Sequence, residues 1–192
     1  AYALAAGDVA TLVQHIEGFN CADLAWGTAN AKPVTLSFWV RSTLTGSFGG
    51  TIQNNGQARS YPFTYAISAA NTWEYKTVTI DGDTSGTWLT NNGVGVSVKF
   101  SMGCGTTFSG TAGAWTSSLL LQPTGSTSII STSGATWDIT GVQLEAGDTA
   151  TPFEHRSYGQ ELALCQRYFR KISSGNASTG GIIGMGAQSS TT

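Results

Sequence analysis

Charge is scarce in this chain. Charged side chains make up 10% of its 192 residues, against roughly 25% in ordinary soluble domains. The balance is −2, so no basic field exists to hold a nucleic acid or an anionic membrane surface. Cysteine is sparse too: Cys21, Cys104 and Cys165 are an odd number with no CxxC pair. That pattern implies neither a disulfide framework nor a zinc site, and small buried thiols are expected. No apolar run reaches the length of a membrane span, and no signal peptide is visible. The only histidines, His15 and His155, have no Ser or Cys partner in a nucleophile motif. HExxH, P-loop and post-strand GxGxxG signatures are missing. The carboxylates are scattered, and no spacing sets two of them across a cleft as glycoside hydrolysis requires. The expectation is a protein without catalytic residues and without a cofactor.

Period-two alternation fills the space that charge leaves. Leu36, Phe38 and Val40 point one way, and Ser37, Trp39 and Arg41 the other. In Val94–Ser101 the phases are Val94, Val96, Val98 and Phe100 inward, with Gly95, Ser97, Lys99 and Ser101 outward. Lys76–Ile80 repeats the pattern, and weaker candidates are Val13–Phe19, Gly50–Asn54, Phe63–Ser68 and Ser117–Leu121. Turn clusters separate them at Gly49-Gly50, Asn54-Asn55-Gly56, Asp81-Gly82-Asp83 and Asn91-Asn92-Gly93. Many short strands divided by turns predict an all-β antiparallel sandwich over 1–156.

The last strand changes phase. Trp137 and Ile139 are odd-numbered, and Val142 and Leu144 even-numbered. A β-bulge at Thr140-Gly141 would keep all four on the core face. Pro152 then breaks the strand, with Phe153 expected to plug the edge of the core and Glu154 and Arg156 to set the exit direction. Ser157 followed by Gln160 predicts a helix start. Tyr158, Leu162, Cys165 and Phe169 follow as one stripe, expected to pack against another module or protomer. Arg167, Arg170 and Lys171 suit the helix C-terminus. The segment 157–192 is expected to be this junction helix plus a linker or the start of a further module. The chain begins without Met and ends in a Gly/Ser/Thr run with an apolar patch at Ile182-Ile183, as an excerpt of a longer protein would.

Six tryptophans are many for a domain of this size. Trp39, Trp73 and Trp137 sit on or beside strands, where a core or inter-sheet role is expected. Trp88 and Trp115 lie in Gly/Thr/Ser-rich loops and are the candidates for stacking on a sugar ring. Asp81-Gly82-Asp83 resembles only a fragment of a calcium loop. No metal site is assigned, although a structural Ca²⁺ bridging the sheets through Glu17 or Asp138 stays open.

The run Thr140-Gly141-Val142-Gln143-Leu144-Glu145, then Pro152-Phe153-Glu154, Glu161-Leu162 and Cys165-Gln166-Arg167-Tyr168 resembles a junction of bacteriophage tail fibres and related virion fibre proteins. Ile16-Glu17-Gly18, Leu36–Val40 and Asn71-Thr72-Trp73 leading into Lys76–Ile80 fit the same pattern, which extends to Lys171. The resemblance implies a carbohydrate-binding-module-like jelly roll, carried in a usually trimeric virion fibre that is assembled in the host cytoplasm. The expected role is host attachment, with other virion proteins and host surface polysaccharide as partners. The alternatives are a purely structural spacer or capsid decoration domain, the accessory domain of a polysaccharide-degrading tailspike, and a secreted bacterial carbohydrate-binding module.

Overall fold

The computed structural model describes residues 1–169. The arginine and lysine at 170 and 171, and the tail beyond them with its apolar patch, lie outside the described residues. The chain forms two units, Ala1–Phe153 and a second beginning at Glu154.

The first unit is built from two antiparallel sheets. One has the order β1 (Val9–Glu17), β6 (Val94–Cys104), β3 (Gly46–Gln53) and β4 (Ser60–Ile67). The other has the order β5 (Glu74–Ile80), β2 (Val34–Ser42) and β9 (Trp137–Ala146). A short parallel pair, β7 (Ser109–Gly110) with β8 (Gln122–Pro123), lies between β6 and β9 in the chain order. Ser117–Leu121, expected as a strand, has no ladder of its own; pairing starts one residue later, at Gln122.

The core lies between the sheets, and β2 is its centre. Leu36, Phe38 and Val40 are fully buried, the inward phase that alternation predicted. Phe38 meets Tyr65 and Phe100 of the opposite sheet edge-on, each with centroids 5.1 Å apart, the geometry favoured by ring quadrupoles. Tyr65 stacks on Phe48 at 5.8 Å, and its hydroxyl accepts a 3.0 Å bond from Trp137 Nε1. Burial pushes the Tyr65 phenol well above its ordinary range. Trp137 therefore has the inter-sheet role expected of it.

Three expectations are corrected here. Gly49-Gly50 is the middle of β3 rather than a turn, because a Cβ at Gly50 would press on the Lys99 carbonyl and the Phe63 ring. Ser97, Lys99 and Ser101, read as solvent-facing, are buried. The connection after β6 lies over them: Ser101 Oγ donates to Gln122 Oε1 at 2.7 Å, and Gln122 Nε2 to the Cys104 carbonyl at 2.9 Å. Gln53 Nε2 reaches the Leu120 carbonyl at 3.1 Å. Burial lowers the Lys99 ammonium pKa. The third correction is Val142, which is exposed although the bulge is present. Ser37 pairs with Gln143 and Trp39 with Thr140, so β9 carries one extra residue there. Gly141 takes φ 57°, in the left-handed region that glycine occupies without steric cost. Trp137, Ile139 and Leu144 pack on the core; Val142 does not.

In the second unit α1 spans Tyr158–Tyr168. Ser157 Oγ accepts the Gln160 N–H at 3.4 Å, the N-cap that the sequence indicates. Among the described residues α1 buries no side chain.

Phe38→Ala removes the ring that joins the two sheets. Urea denaturation should show a loss of about 3–5 kcal/mol, the range for a large-to-small aromatic change in a core.

Candidate functional site

Two aromatic assemblies stand out on the first unit. The first contains both residues singled out in the sequence. Trp88, in the β5–β6 connection, and Trp115, between β7 and β8, lie 5.4 Å apart. Trp26, from the β1–β2 connection, joins them at 4.6 and 5.3 Å, and Tyr61 touches Trp115 at 5.3 Å. All these contacts are edge-to-face, so rings cover one another's faces. The indole N–H groups are engaged within the fold. Trp115 Nε1 donates to the Asp81 carbonyl at 2.7 Å, Trp26 Nε1 to the Lys32 carbonyl at 2.7 Å, and Trp88 Nε1 to the Ser85 carbonyl at 3.1 Å.

Asp83, 1% exposed, holds this end together. It takes both arms of Arg59 at 2.7 Å, bonds the Ser85 N–H at 3.1 Å and receives Trp88 Nε1 at 3.3 Å. The bidentate bond raises the Arg59 pKa. Trp88 and Trp115 are half-buried against the core. The structure thus brings the two together and adds a third indole, Trp26.

The second assembly lies on the outer face of β5-β2-β9. Trp39 and Tyr75 are direct cross-strand partners, 43% and 44% exposed, with rings 5.4 Å apart and tilted by 47°. Phe153 reaches over from the segment after β9, 46% exposed. With Ser37, Gly141, Thr151 and Pro152 they line a groove of about 390 Å³, a size suited to a small ligand. Two residues along β2, Arg41 lies 5.1 Å over the Trp73 ring and pairs with Asp138 at 3.1 Å. Trp39 and Trp73 are therefore surface residues, not core ones. Phe153 does not plug the core edge; it forms a wall of this groove.

Two carboxylates pin the segments that carry these rings. Glu74 Oε1 accepts the N–H groups of Ser68 and Ala69 at 2.8 Å each, and Oε2 accepts Lys76 Nζ at 2.6 Å. These bonds hold the turn that leads into Trp73. They lower the Glu74 carboxyl from its ordinary 4.5 to about 2, the bond from Lys76 contributing most. Glu145 accepts the Thr151 N–H at 3.0 Å and the Thr151 hydroxyl. The Thr151 hydroxyl bond is the main cause of a lowered Glu145 pKa. Gln143 Nε2 adds a 3.4 Å contact to Thr151 Oγ1. Together they lay the Pro152-Phe153 strap along the sheet.

The remaining chemistry-bearing residues are dispersed. Asp83 is held by Arg59 and Asp138 by Arg41, while Glu17 belongs to β1 of the other sheet. Among the described residues no three carboxylate, histidine or cysteine side chains gather as a metal site. His15 Nδ1 lies 2.8 Å from Ser97 Oγ, a cross-strand contact of the β1–β6 ladder. Tyr158, Leu162, Cys165 and Phe169 are all exposed on or just after α1, Tyr158 by 82%. Comparison with protein-family models, curated proteins and solved structures returned no match.

Because the Glu74 pKa is depressed in the folded protein, its contribution to stability is complete above about 4.5 and is lost as the pH falls toward about 2. The thermal midpoint of the parent should exceed that of Glu74→Gln at pH 7. The gap should close between pH 4.5 and 2, as followed by circular dichroism.

Proposed function

We infer that this chain is a non-enzymatic module of a phage fibre or virion surface that holds cell-surface glycan during host attachment. The observation that carries the glycan assignment is the exposed furrow of Trp39, Tyr75 and Phe153. Aromatic rings left open on a sheet face, beside short polar groups, offer a sugar an apolar surface and hydrogen bonds together. The resemblance of the Thr140–Tyr168 run to virion fibre junctions supports the setting, and a jelly-roll, carbohydrate-binding-module-like scaffold agrees with two facing antiparallel sheets. Multiple copies on one particle would strengthen weak individual contacts through avidity. The exposed Tyr158, Leu162 and Cys165 of α1, with Phe169 just after the helix end, are the surface we assign to packing between protomers, as a homotrimer, or with neighbouring virion proteins.

A second reading has its own support. The internally bonded indoles of Trp88 and Trp115 suit a purely structural spacer, in which that cluster only braces three loops. The two readings differ in which tryptophan matters.

Added to host cells, the purified chain should slow adsorption of the phage that carries it, and Trp39→Ala should lose at least tenfold in potency. A spacer would not compete at any concentration. Light scattering checks the assembly: a trimer is expected, with Leu162→Asp shifting it to monomer. A parent chain that stays monomeric at high concentration would remove α1 from that role.

A further inference from the structure

We propose that the outer face of β5-β2-β9 takes a neutral glycan chain lying along β2, rather than a terminal monosaccharide or an acidic polymer. This rests on the attachment reading above and specifies its ligand.

Length is the first argument. Trp39 and Arg41 stand on the outward phase of β2 and reach the surface, while Ser37, on the same phase, is buried at the floor of the groove. From Trp39 to Arg41 is two steps of strand, about 7 Å at roughly 3.3 Å each, longer than one pyranose ring. The row has two stations. Trp39, Tyr75 and Phe153 make the groove, and Trp73 under Arg41 makes a second flat surface beside it. Thr77 and Gln143, the cross-strand partners of Ser37 on either side, and Thr140, the partner of Trp39, place short hydrogen-bonding groups along the same row. A lone sugar would fill one station and leave the other bare.

Charge is the second argument. Arg41 is matched by Asp138; Lys76 and Glu74, bonded to each other, stand opposite Phe38 and Val40 on the other phase of β5 and are not part of the row. Glu145, held by Thr151, adds a negative charge with no cation set against it in this row. Among the described residues the row therefore carries no unmatched cation and has a slight negative balance. An acidic polysaccharide would gain no Coulomb attraction and would face repulsion, whereas a neutral chain is indifferent to it. A protein partner would be expected on a flatter and more continuous apolar patch than a furrow interrupted by hydroxyl and amide groups.

The Arg41–Asp138 pair is then a selectivity device, because neutralising Asp138 exposes a cation on a sugar-sized platform. Such an attraction is screened by salt, while stacking is not.

The test is a microarray of dextran, mannan, β-glucan and peptidoglycan-derived neutral chains beside polygalacturonate, hyaluronate and teichoic acid. It is probed with the full chain, with Trp39→Ala, Tyr75→Ala, Trp115→Ala and Asp138→Asn variants, and with monosaccharides as competitors. The parent should be retained on neutral chains at low and high salt. Trp39→Ala and Tyr75→Ala should each weaken retention at least tenfold with unchanged thermal midpoints, and monosaccharides should compete at least tenfold less well than hexasaccharides. Asp138→Asn should gain retention on acidic chains that salt removes. Parent retention on acidic chains, or equal competition by monosaccharides, overturns this inference and leaves the attachment reading standing. Loss of neutral-chain retention in Trp115→Ala but not in Trp39→Ala moves the site to the tryptophan cluster and overturns it likewise. No retention on any glycan overturns both.

Discussion

Everything on this molecule depends on the register of β2. The strand is paired on both sides, with β5 and β9, and its two faces have opposite duties. Inward, Phe38 locks the sheets together through Tyr65 and Phe100. Outward, Trp39 and Arg41 carry the candidate ligand row. A slip of one residue would exchange the two sets, because side chains alternate with period two. The core thus fixes the surface: the burial of Leu36, Phe38 and Val40 holds Trp39 in its exposed place. The bulge at Gly141 belongs to the same constraint. It absorbs one residue of β9 so that Leu144 and Ile139 both face the core on either side of it.

The strands were legible where alternation is strict. β2 and the inward phase of β6 could be read directly, since period two is a local signal. The burial of Ser97, Lys99 and Ser101 could not. What covers them is an irregular connection held by Gln122 and Gln53, two residues that look like surface polar groups until their partners are seen. Gly49-Gly50 looked like a turn because glycine is usually punctuation; here it clears space for Phe63 and a neighbouring strand.

The candidate sites follow the same division. That Trp39 leaves β2 on the outer phase was legible. Whether anything covered that phase was not, because it depends on which sheet β2 joins. Tyr75 became its partner only through the β2–β5 pairing. Phe153 was identifiable as the residue after a strand-breaking proline, but its destination is set by Glu145 reaching Thr151. The loop context of Trp88 and Trp115 is visible in the sequence. Their convergence with Trp26 needs three separate connections to meet, and Asp83, which anchors that meeting, looked like half of a plain turn.

The covering of β6 and β3 by the connection after Cys104 has a further consequence. One sheet is closed over its centre, while the other keeps an open row of rings, so the module is one-sided. On the attachment reading proposed above, copies arrayed along a filament would not be interchangeable in azimuth: one whose three-stranded side is turned toward a neighbour would be silent, and one turned outward would be active. The number of working contacts a particle presents would then be set by how its modules are rotated about the filament, not by how many it carries.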